Sequence, residues 1–468
     1  MGRKKKLPVL EKVIVTDLAA EGKAMAKIDN KVLFMKYGVP GDVVDVQLTR
    51  KRKKYMEGKI TRVHQYSKDR VEPFCSHYGT CGGCAWQSIP YTMQLKAKEK
   101  QVFDTLTRLG GFDIEEKLPV IPSEKIKHYR NKLEFTFSNK RWLSTDEISS
   151  GKEIDSNRAL GFHVPGLFDK IVDIEKCHLQ EEPSNSIRQF TRDYSGKENL
   201  PYYNIKNQGG FLRNLIIRNT LLGETMVILS FFQDDKLKRE KTLEAIMEAF
   251  PKITSLFYVI NPKGNDTILD LDVHLYKGRE YILEQLEGLK FKIGPKSFFQ
   301  TNSDQALKLY QITREFANLS GNETVYDLYT GTGTIANFIA KQSGKVIGIE
   351  NVPEAIDDAR ENARINGIKN TVFHAADMKD ILTTEFIEKE GHPDVIVLDP
   401  PRAGIHPDVA KTIQEAAPER IVYVSCNPGT QARDISLISE TYKVKKVQPV
   451  DMFPHTHHIE SVALLEKK

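Results

Sequence analysis

The sequence predicts an α/β Rossmann-like domain at its C-terminal end, preceded by a small N-terminal β barrel and a central α+β domain. Three observations predict this architecture. From about residue 291 onward, short apolar strands alternate with helical stretches, the pattern of a parallel sheet covered on both faces. Before residue 66, short strands are separated by glycine-containing turns. The chain of 468 residues is also too long for one ordinary core, so several domains are expected.

Composition and charge limit the classes of protein to which the chain can belong. With 40% hydrophobic and 28% charged residues, the composition is that of a folded globular protein and excludes collagen-like or largely disordered chains. Its apolar stretches are too short to span a membrane, and no signal-like apolar segment follows the basic run Arg3–Lys6, so a cytoplasmic protein is expected. Residues 1–70 carry 18 Lys and Arg against 8 Asp and Glu, which favours a polyanionic partner.

Residues 1–66 form the predicted barrel. Its predicted strands are Lys12–Thr16, Lys31–Met35 and Asp42–Leu48. The pattern Pro40-Gly41-Asp42-Val43-Val44-Asp45-Val46 between and within them resembles the core of a TRAM domain, an RNA-binding barrel similar to the OB fold. We expect the basic run Arg50–Lys54 on this barrel, and the segment Tyr129–Lys132 further along, to contact RNA phosphates.

Residues 67–290 form the predicted central α+β domain. Apolar residues at helical spacing predict a helix over 91–110, which we expect to pack on the C-terminal domain despite its early position. Leu133, Phe135 and Phe137 alternate with polar residues, so a strand is expected there.

The five cysteines predict a metal or cluster site. Their number is odd and small for this length, which argues against a disulfide framework. Cys75, Cys81 and Cys84 lie within ten residues, and the distant Cys177 can supply a fourth thiolate. Four thiolates suit either zinc or an iron–sulfur cluster, and their spacing alone does not separate the two.

A glycine loop comes directly after the first predicted strand of the C-terminal domain, residues 291–468. Asp327–Thr334 reads Asp-Leu-Tyr-Thr-Gly-Thr-Gly-Thr and opens a helix, so its backbone can approach an anionic or polar ligand. Glu350 ends the next strand, where a carboxylate can accept from two ribose hydroxyls. The loop also fits the Gly-x-Gly-x-x-Ala pattern of nicotinamide dinucleotide proteins. With Asp327 before its glycines, the loop instead resembles the S-adenosylmethionine loop of class I methyltransferases. Asp399-Pro400-Pro401 resembles the substrate-side motif of the same enzymes.

A cysteine and a carboxylate near the C-terminus supply a nucleophile and a base. Cys426 comes just past the end of a predicted parallel strand, the edge at which open α/β sheets bind ligands. Glu460 lies at the start of the last predicted strand. A thiolate added to carbon 6 of uracil makes carbon 5 nucleophilic, and a base must later remove the carbon-5 proton. Both groups that this chemistry needs are present.

The sequence resembles the RNA uracil-5-methyltransferases of the RumA/TrmA-like group. The stretches that carry the resemblance occur in order over the C-terminal part and are Phe298–Asn302, Asp327–Thr334, Asp399–Gly404, Ser425–Pro428 and His455–Ser461. By this resemblance Cys426 is the nucleophile and Glu460 the proton acceptor. The residues that it assigns to the methyl-donor pocket are Gln300, Tyr329, Gly331, Gly333, Glu350 and Asp399. The residues that it assigns to the flipped base are Phe298, Gln300 and Asp399.

The same resemblance implies a [4Fe–4S] cluster on Cys75, Cys81, Cys84 and Cys177, with zinc as the alternative occupant. It implies a monomeric enzyme that methylates carbon 5 of a uridine in structured RNA. The barrel and the cysteines favour 23S ribosomal RNA over transfer RNA, by analogy with the branches of the family. An NAD-dependent oxidoreductase and a non-catalytic RNA-binding protein are the remaining alternatives.

Overall fold

The computed structural model describes residues 7–151 and 154–468. The basic run Arg3–Lys6 lies outside the described residues. Four sheets organise the described chain, with six, seven, two and eight strands. No helix among the described residues combines the length and apolarity needed to cross a membrane.

The N-terminal segment folds into a six-stranded β barrel. Its strands are β1 (Val9–Ile14), β2 (Asp17–Leu18), β3 (Ala24–Ile28), β4 (Lys31–Met35), β5 (Val43–Lys51) and β6 (Tyr55–Gln65), in the order β1-β5-β6-β4-β3-β2. Alternate residues of β5 point into the core, as the period of two requires. The core continues past residue 66, because Trp86 and Ile89 are buried in it.

The segment after the barrel runs onto the C-terminal domain. Helix α1 (Tyr91–Asp104) gives way at residues 105–109 to a wider π turn, so the predicted helix 91–110 is α-helical only in its first part. Strand β7 (Ile114–Lys117), which the sequence does not predict, pairs in parallel with the strand Tyr442–Val450. Lys98 on α1 is fully buried and donates to Asp451 Oδ1 over 2.5 Å, so α1 is anchored to the end of that strand.

The central domain is a seven-stranded sheet with helices. Its strands are β8 (Lys132–Ser138), β9 (Ala159–Val164), β10 (Leu167–Asp173), β11 (Leu212–Asn219), β12 (Thr225–Phe231), β13 (Ser255–Ile260) and β14 (Val273–Gly278), in the order β10-β9-β8-β11-β12-β13-β14. Its helices are α2 (Thr145–Ser149), α3 (Ser184–Lys197) and α4 (Lys236–Ala249). Leu133, Phe135 and Phe137 of β8 enter its core, as their alternation predicts.

The predicted domain boundary at residue 290 falls inside a β hairpin. Strands β15 (Ile282–Leu286) and β16 (Leu289–Ile293) pair with each other, and their apolar residues join a core that contains residues of both the central and the C-terminal domain. Helix α5 (Ser303–Ala317) comes next and begins at Asn302, whose side chain accepts from the backbone N–H of Gln305. The hairpin therefore lies between the two predicted domains and packs on both.

The C-terminal domain is an open, mostly parallel sheet covered by helices. Its strands are β17 (Thr324–Leu328), β18 (Lys345–Glu350), β19 (Thr371–Ala375), β20 (Val395–Leu398), β21 (Arg420–Ser425), β22 (Tyr442–Val450) and β23 (Glu460–Lys467). Its helices are α6 (Thr334–Ile339), α7 (Pro353–Ile365), α8 (Met378–Ile381), α9 (Thr384–Glu390), α10 (Pro407–Ala416) and α11 (Pro428–Ile438).

The strand order of this sheet is β19-β18-β17-β20-β21-β23-β22-β7. The first five strands run in parallel, and β23 is antiparallel to its neighbours β21 and β22. The sequence does not predict β19, because only Phe373 of that strand is buried and no apolar run marks it. The order reverses next to β17, the position at which open α/β sheets form a ligand crevice.

Candidate active site

One large cavity lies at the carboxyl ends of the parallel strands. Its volume is about 1340 Å³, and residues of both the central and the C-terminal domain line it. The predicted site residues that line it are Phe298, Gln300, Tyr329, Gly331, Glu350, Asp399, Cys426 and Glu460. Gly333 is not among the lining residues. The structure therefore brings together every predicted catalytic, donor and base-binding residue except this glycine.

The glycine loop holds two glycines with different tasks. Gly331 has φ +55°, and a Cβ there would meet open space, so its backbone faces the cavity. Gly333 has φ +72° and is the N-cap of α6, and a Cβ there would approach the Cβ of Ala359 to 2.8 Å. Gly331 thus lets a ligand approach, while Gly333 lets α6 pack closely on α7.

Two carboxyl groups hold this loop in place. Glu350 Oε2 accepts from the backbone N–H of Gly331 over 3.2 Å, and Oε1 accepts from Asn351 N over 2.9 Å. Asp327 lies beneath the loop, and its Oδ2 accepts from Thr330 Oγ1 over 2.5 Å and from Ala336 N over 3.0 Å. Burial raises the pKa of Asp327 to about 7. Asp327 therefore connects β17 to α6 through buried hydrogen bonds, whereas Glu350 lines the cavity.

Strand pairing places Cys426 opposite Glu460. Ser425, the last residue of β21, pairs with Ser461 of β23, so the next two residues along the ladder face each other. Asn427 caps α11 with its side chain on Gly429 N over 3.0 Å, and the chain turns away directly after Cys426. The thiol is therefore left at the sheet edge, in the same cavity as the carboxyl group.

The charges in this site oppose ionisation of the reacting groups. Burial raises the pKa of Glu460 well above its usual value, and the nearby Asp399 adds to the shift. Burial likewise raises the pKa of Asp399 to about 7, with the charge of Asp327 adding to it. The pKa of the Cys426 thiol is raised by burial and by Glu460. Within the described residues, neither the Asp399 nor the Glu460 carboxyl group has a hydrogen-bond partner, so both are available to a substrate.

Arg402 is the cation that counters these carboxyl groups. Its guanidinium favours the charged forms of both Cys426 and Glu460 and so lowers their pKa values against the effect of burial. Arg402 Nη2 lies 3.3 Å from Nδ1 of His458, whose pKa burial lowers to about 4, so the neutral ring can accept from the guanidinium. The sequence pattern alone gave Arg402 no role, although its place three residues after Asp399 was a usable signal.

The two neighbouring phenylalanines separate into a surface residue and a core residue. The Phe298 side chain is 69% exposed, whereas Phe299 is buried and 7% exposed. The adjoining backbone is fixed from the central domain, because Asn131 Nδ2 donates to the Gln300 carbonyl over 2.8 Å and Asn131 N donates to the Thr301 carbonyl over 2.8 Å. Phe298 can therefore stack on a base that enters the cavity.

A second cavity, of about 400 Å³, is lined by the four predicted cluster cysteines, Cys75, Cys81, Cys84 and Cys177. All four are free thiols, and burial raises the pKa of Cys81 and Cys84 to about 12. Among residues 7–151 and 154–468, no three His, Cys, Asp or Glu side chains are grouped so that they could hold a single metal ion. The thiols thus surround a space and do not converge on one point.

Local hydrogen bonds hold the loops that carry these thiols. Asn185 on α3 accepts from Cys177 N over 2.8 Å and donates to the Cys177 carbonyl over 3.0 Å. Arg188 on the same helix is fully buried and donates to the carbonyl of Glu175 over 2.6 Å. Gln87 accepts from Cys75 N over 3.1 Å. Both cysteine-bearing segments are therefore fixed by neighbouring side chains before any ligand binds.

Comparison with known proteins places these features in a family context. Residues 272–468 match a family model described as tRNA (Uracil-5-)-methyltransferase, and residues 11–61 match the TRAM domain. An uncharacterized RNA methyltransferase of Bacteroides thetaiotaomicron is 57% identical and covers 96% of this chain and 100% of its own. A second one, from Porphyromonas gingivalis, is 56% identical and covers 96% and 98%.

A solved structure resembles the whole chain. It is the Pyrococcus abyssi tRNA (uracil-54, C5)-methyltransferase in complex with S-adenosyl-L-homocysteine. The TM-score is 0.75 at 27% sequence identity, and the match covers 97% of this chain and 100% of that one. The similarity therefore extends over the barrel, the central domain and the C-terminal sheet together.

Proposed function

The chain belongs to the RNA uracil-5-methyltransferase family and is an S-adenosylmethionine-dependent RNA methyltransferase, and on this basis we propose that it methylates carbon 5 of a uridine through a covalent cysteine–uracil adduct. Membership in this family contradicts the two other classes considered from the sequence, the NAD-dependent oxidoreductase and the non-catalytic RNA-binding protein. The observation that carries the proposed mechanism is that Cys426 and Glu460 lie next to the paired Ser425 and Ser461 and line the same cavity.

The residues of the donor pocket fit S-adenosylmethionine. Glu350 lines the cavity at the end of β18, where its carboxylate can accept from ribose hydroxyls, and Gly331 leaves room for the donor beside it. Gln300, Tyr329 and Asp399 complete the predicted pocket. When bound, the donor supplies an electrophilic methyl group.

The chain's own residues perform the remaining steps. A uridine is flipped out of its stack, and Phe298 packs against the base. The Cys426 sulfur bonds to carbon 6, which makes carbon 5 nucleophilic toward the methyl group. The Glu460 carboxylate then takes the proton from carbon 5, the carbon 6–sulfur bond breaks, and the thiolate and the methylated base separate. Arg402 favours the thiolate before attack and after release.

Covalent trapping tests this mechanism. An RNA substrate with 5-fluorouridine at the target position carries fluorine where Glu460 must remove a proton, so the adduct cannot resolve. We expect a protein–RNA band that survives denaturing electrophoresis with the wild-type protein and no band with Cys426→Ala. S-adenosylmethionine binding by Cys426→Ala, measured by calorimetry, should remain at the wild-type level because the thiol is not part of the donor pocket. A full-strength adduct in Cys426→Ala contradicts the proposal.

We propose 23S ribosomal RNA as the substrate, on the sequence-based analogy of the barrel and cysteines. Transfer RNA is the second candidate, because the Pyrococcus abyssi tRNA enzyme matches the whole chain, its barrel region included. Mapping 5-methyluridine in RNA from cells that lack the protein tests the choice. Loss of the modification from 23S ribosomal RNA supports the first candidate, and loss from transfer RNA supports the second.

We propose that the four-cysteine cavity holds a [4Fe–4S] cluster. Four free thiols that line one cavity support this proposal, and zinc remains the alternative occupant. Anaerobic reconstitution with iron and sulfide should load the wild-type protein and the Cys426→Ser control equally, while Cys177→Ser should bind substantially less of both. One zinc per chain and no cluster absorbance would contradict the proposal.

The cytoplasmic location and the monomeric state that the sequence predicts stay predictions. Light scattering after size-exclusion chromatography tests the second: a monomer of this chain has a mass of 53.3 kDa. A mass twice as large would contradict it.

A further inference from the structure

One wall of the catalytic cavity is formed by charged residues that the proposed chemistry does not use. Lys132 and Glu134 lie two residues apart on β8, so both point to the same face of the sheet. Arg218 on the neighbouring β11 pairs directly with Lys132, and Ile216 pairs with Glu134. All four residues line the catalytic cavity, so this face of β8 and β11 is its central-domain wall.

The wall holds two cations in direct cross-strand register. Like charges in that position repel, and such pairs are destabilising unless a counter-charge is present. The nearest carboxylate is Glu134, whose Oε2 lies 4.0 Å from Lys132 Nζ. A second carboxylate, Asp266, is engaged by Arg213 over 3.3 Å. One carboxylate therefore faces two cations, and the wall has an excess positive charge.

Arg218 is the buried member of this pair. It is 7% exposed, and its Nη2 donates to the Ser297 carbonyl over 2.8 Å, while its Nε is buried without a hydrogen-bond partner. An arginine that is desolvated and only partly paired is costly unless an anion compensates it. Ser297, which accepts this hydrogen bond, directly precedes Phe298. The hydrogen bond therefore connects the cationic wall to the segment that carries the exposed aromatic ring.

The cysteine cavity shares only part of this wall. Lys132 and Glu134 line both cavities, whereas Arg218 lines the catalytic cavity and is absent from the lining of the cysteine cavity. An anion that compensates Arg218 therefore approaches from the catalytic cavity, where Lys132 can contact it as well.

We infer that Lys132 and Arg218 form a subsite for an RNA backbone phosphate next to the flipped uridine, an inference that rests on the proposed function. The donor end of the cavity lies at the glycine loop and Glu350, on the C-terminal domain, whereas the subsite lies on the central domain beside Phe298. A nucleotide stacked on Phe298 brings its own phosphate to this wall. Glu134, whose Oε2 lies 4.0 Å from Lys132 Nζ, competes with the phosphate for Lys132.

Phosphate-ethylation interference tests the subsite. An unmodified 23S ribosomal RNA or transfer RNA transcript, whichever the wild-type protein methylates, is partly ethylated, and the phosphates whose ethylation blocks binding are mapped. With the wild-type protein we expect a blocking phosphate adjacent to the target uridine. With Lys132→Gln that single interference should disappear, and the slope of log affinity against log salt should fall by about 0.7 to 1.

Two further variants separate charge from packing. Glu134→Gln removes the competing carboxylate, so RNA affinity should rise where Lys132→Gln lowers it. Lys252→Gln, an exposed lysine of the central domain outside the cavity, serves as the matched control and should leave both the affinity and the interference pattern unchanged. Equal losses in Lys132→Gln and Glu134→Gln would indicate disrupted packing and overturn the inference.

Two other outcomes also overturn the subsite. One is an unchanged interference pattern in Lys132→Gln. The other is a Lys132→Gln variant with unchanged RNA affinity and a raised KM for S-adenosylmethionine. This result would show that the two cations bind the carboxylate of the methyl donor and not an RNA phosphate. The proposed function itself fails if the wild-type protein binds S-adenosylmethionine but methylates neither RNA. The subsite alone fails if Lys132→Gln still methylates the RNA with a wild-type KM for RNA.

Discussion

Glu460 is a carboxyl group whose burial determines when it can act. Because its pKa lies well above the usual value, the group loses its proton, and so becomes able to accept one, at a higher pH than an ordinary carboxyl group. The pKa of Cys426 is also raised, so both reacting groups gain their active, deprotonated forms as the pH increases. We expect kcat/KM for RNA to rise from pH 6 to pH 9 in a pH–rate profile. A rate that is flat over this range contradicts the assignment of the two groups.

Removing the base should stop the reaction after methyl transfer. In Glu460→Gln the carbon-5 proton stays in place, so the Cys426–carbon 6 bond cannot break. We expect turnover to fall by at least about 100-fold, the lower end of what general base catalysis contributes. A protein–RNA adduct should accumulate with ordinary, unfluorinated RNA, detected by denaturing electrophoresis. Turnover at the wild-type rate would contradict this role for Glu460.

The buried carboxyl group of Asp399 should lower the stability of the folded protein at high pH, although the reaction needs this group. Its folded-state pKa of about 7 lies above its ordinary value of 3.8, so the folded protein holds this proton more tightly than the unfolded chain. The resulting stabilisation is complete at pH values below the unfolded pKa and is lost as the pH rises through about 7. At pH 8 the neutral variant Asp399→Asn should therefore be more stable than the wild type by up to about 4 kcal/mol, the free energy that corresponds to a pKa of about 7 in place of 3.8.

Urea denaturation at two pH values checks this expectation for Asp399. The stability difference between Asp399→Asn and the wild type should be small near pH 4 and larger at pH 8. Methylation by the variant should be impaired at both values, because Asp399 lines the cavity between the donor pocket and Cys426. A stability difference that does not change with pH contradicts the raised pKa.

At the level of elements, the loop between β17 and α6 separates ligand binding from packing. Any residue other than glycine at either position must adopt the left-handed backbone conformation, which lowers the stability of the folded protein by about 1–2 kcal/mol. Gly331→Ala adds a methyl group toward the cavity, so S-adenosylmethionine affinity should fall with only that loss of stability. Gly333→Ala must also displace Ala359 on α7, so its melting temperature should fall further. Calorimetry for binding and thermal unfolding for stability separate the two effects.

The opposite result for Gly331→Ala and Gly333→Ala would contradict this division between ligand binding and packing. Gly331→Ala with the larger loss of melting temperature, and Gly333→Ala with the larger loss of donor affinity, would place Gly333 at the ligand. The sequence predicted a donor-binding role for both glycines. The structure adds a packing role for the second one, because a Cβ there would approach Ala359. Its role in donor binding stays a prediction.

Across the molecule as a whole, the loop before β23 is one of the connections between the barrel and the catalytic domain. Ala85 N and Trp86 N donate to the His455 carbonyl over 2.9 and 3.0 Å, and Trp86 is buried in the barrel core. Three residues later, His458 contacts Arg402. A segment next to the cysteines is therefore bonded to the loop that leads into the catalytic strand β23.

The basic hairpin of the barrel should add affinity without adding to the chemistry. Residues 50–54 lie at the turn between β5 and β6, and their cationic side chains are exposed, so they can contact phosphates. Replacing Arg50, Lys51, Arg52, Lys53 and Lys54 by Gln should raise the KM for RNA and reduce the salt dependence of binding. S-adenosylmethionine affinity should not change. An unchanged KM and salt slope would show that the hairpin does not contact the RNA.

Many local features of this protein could be predicted from the sequence alone. Apolar runs predict the parallel sheet, and two of these runs, Lys345–Glu350 and Arg420–Ser425, are the strands β18 and β21 of the structure. The glycine loop, Glu350 and Cys426 each stand at a strand end, as their positions in the sequence predict, and the structure brings them to one cavity. Their roles stay predictions. Such features depend on neighbours within a few residues of the chain, and periodicity records those neighbours directly.

Contacts between distant residues could be read only from the folded chain. Cys426 faces Glu460 because β21 and β23 pair in one particular register, and a shift of one residue would turn the two side chains to opposite faces. The pairing of Lys132 with Arg218 depends in the same way on the register of β8 and β11. Strand β7 joins a sheet more than 300 residues away in sequence. Register between distant strands is a property of the packed chain as a whole, so no local pattern of residues contains it.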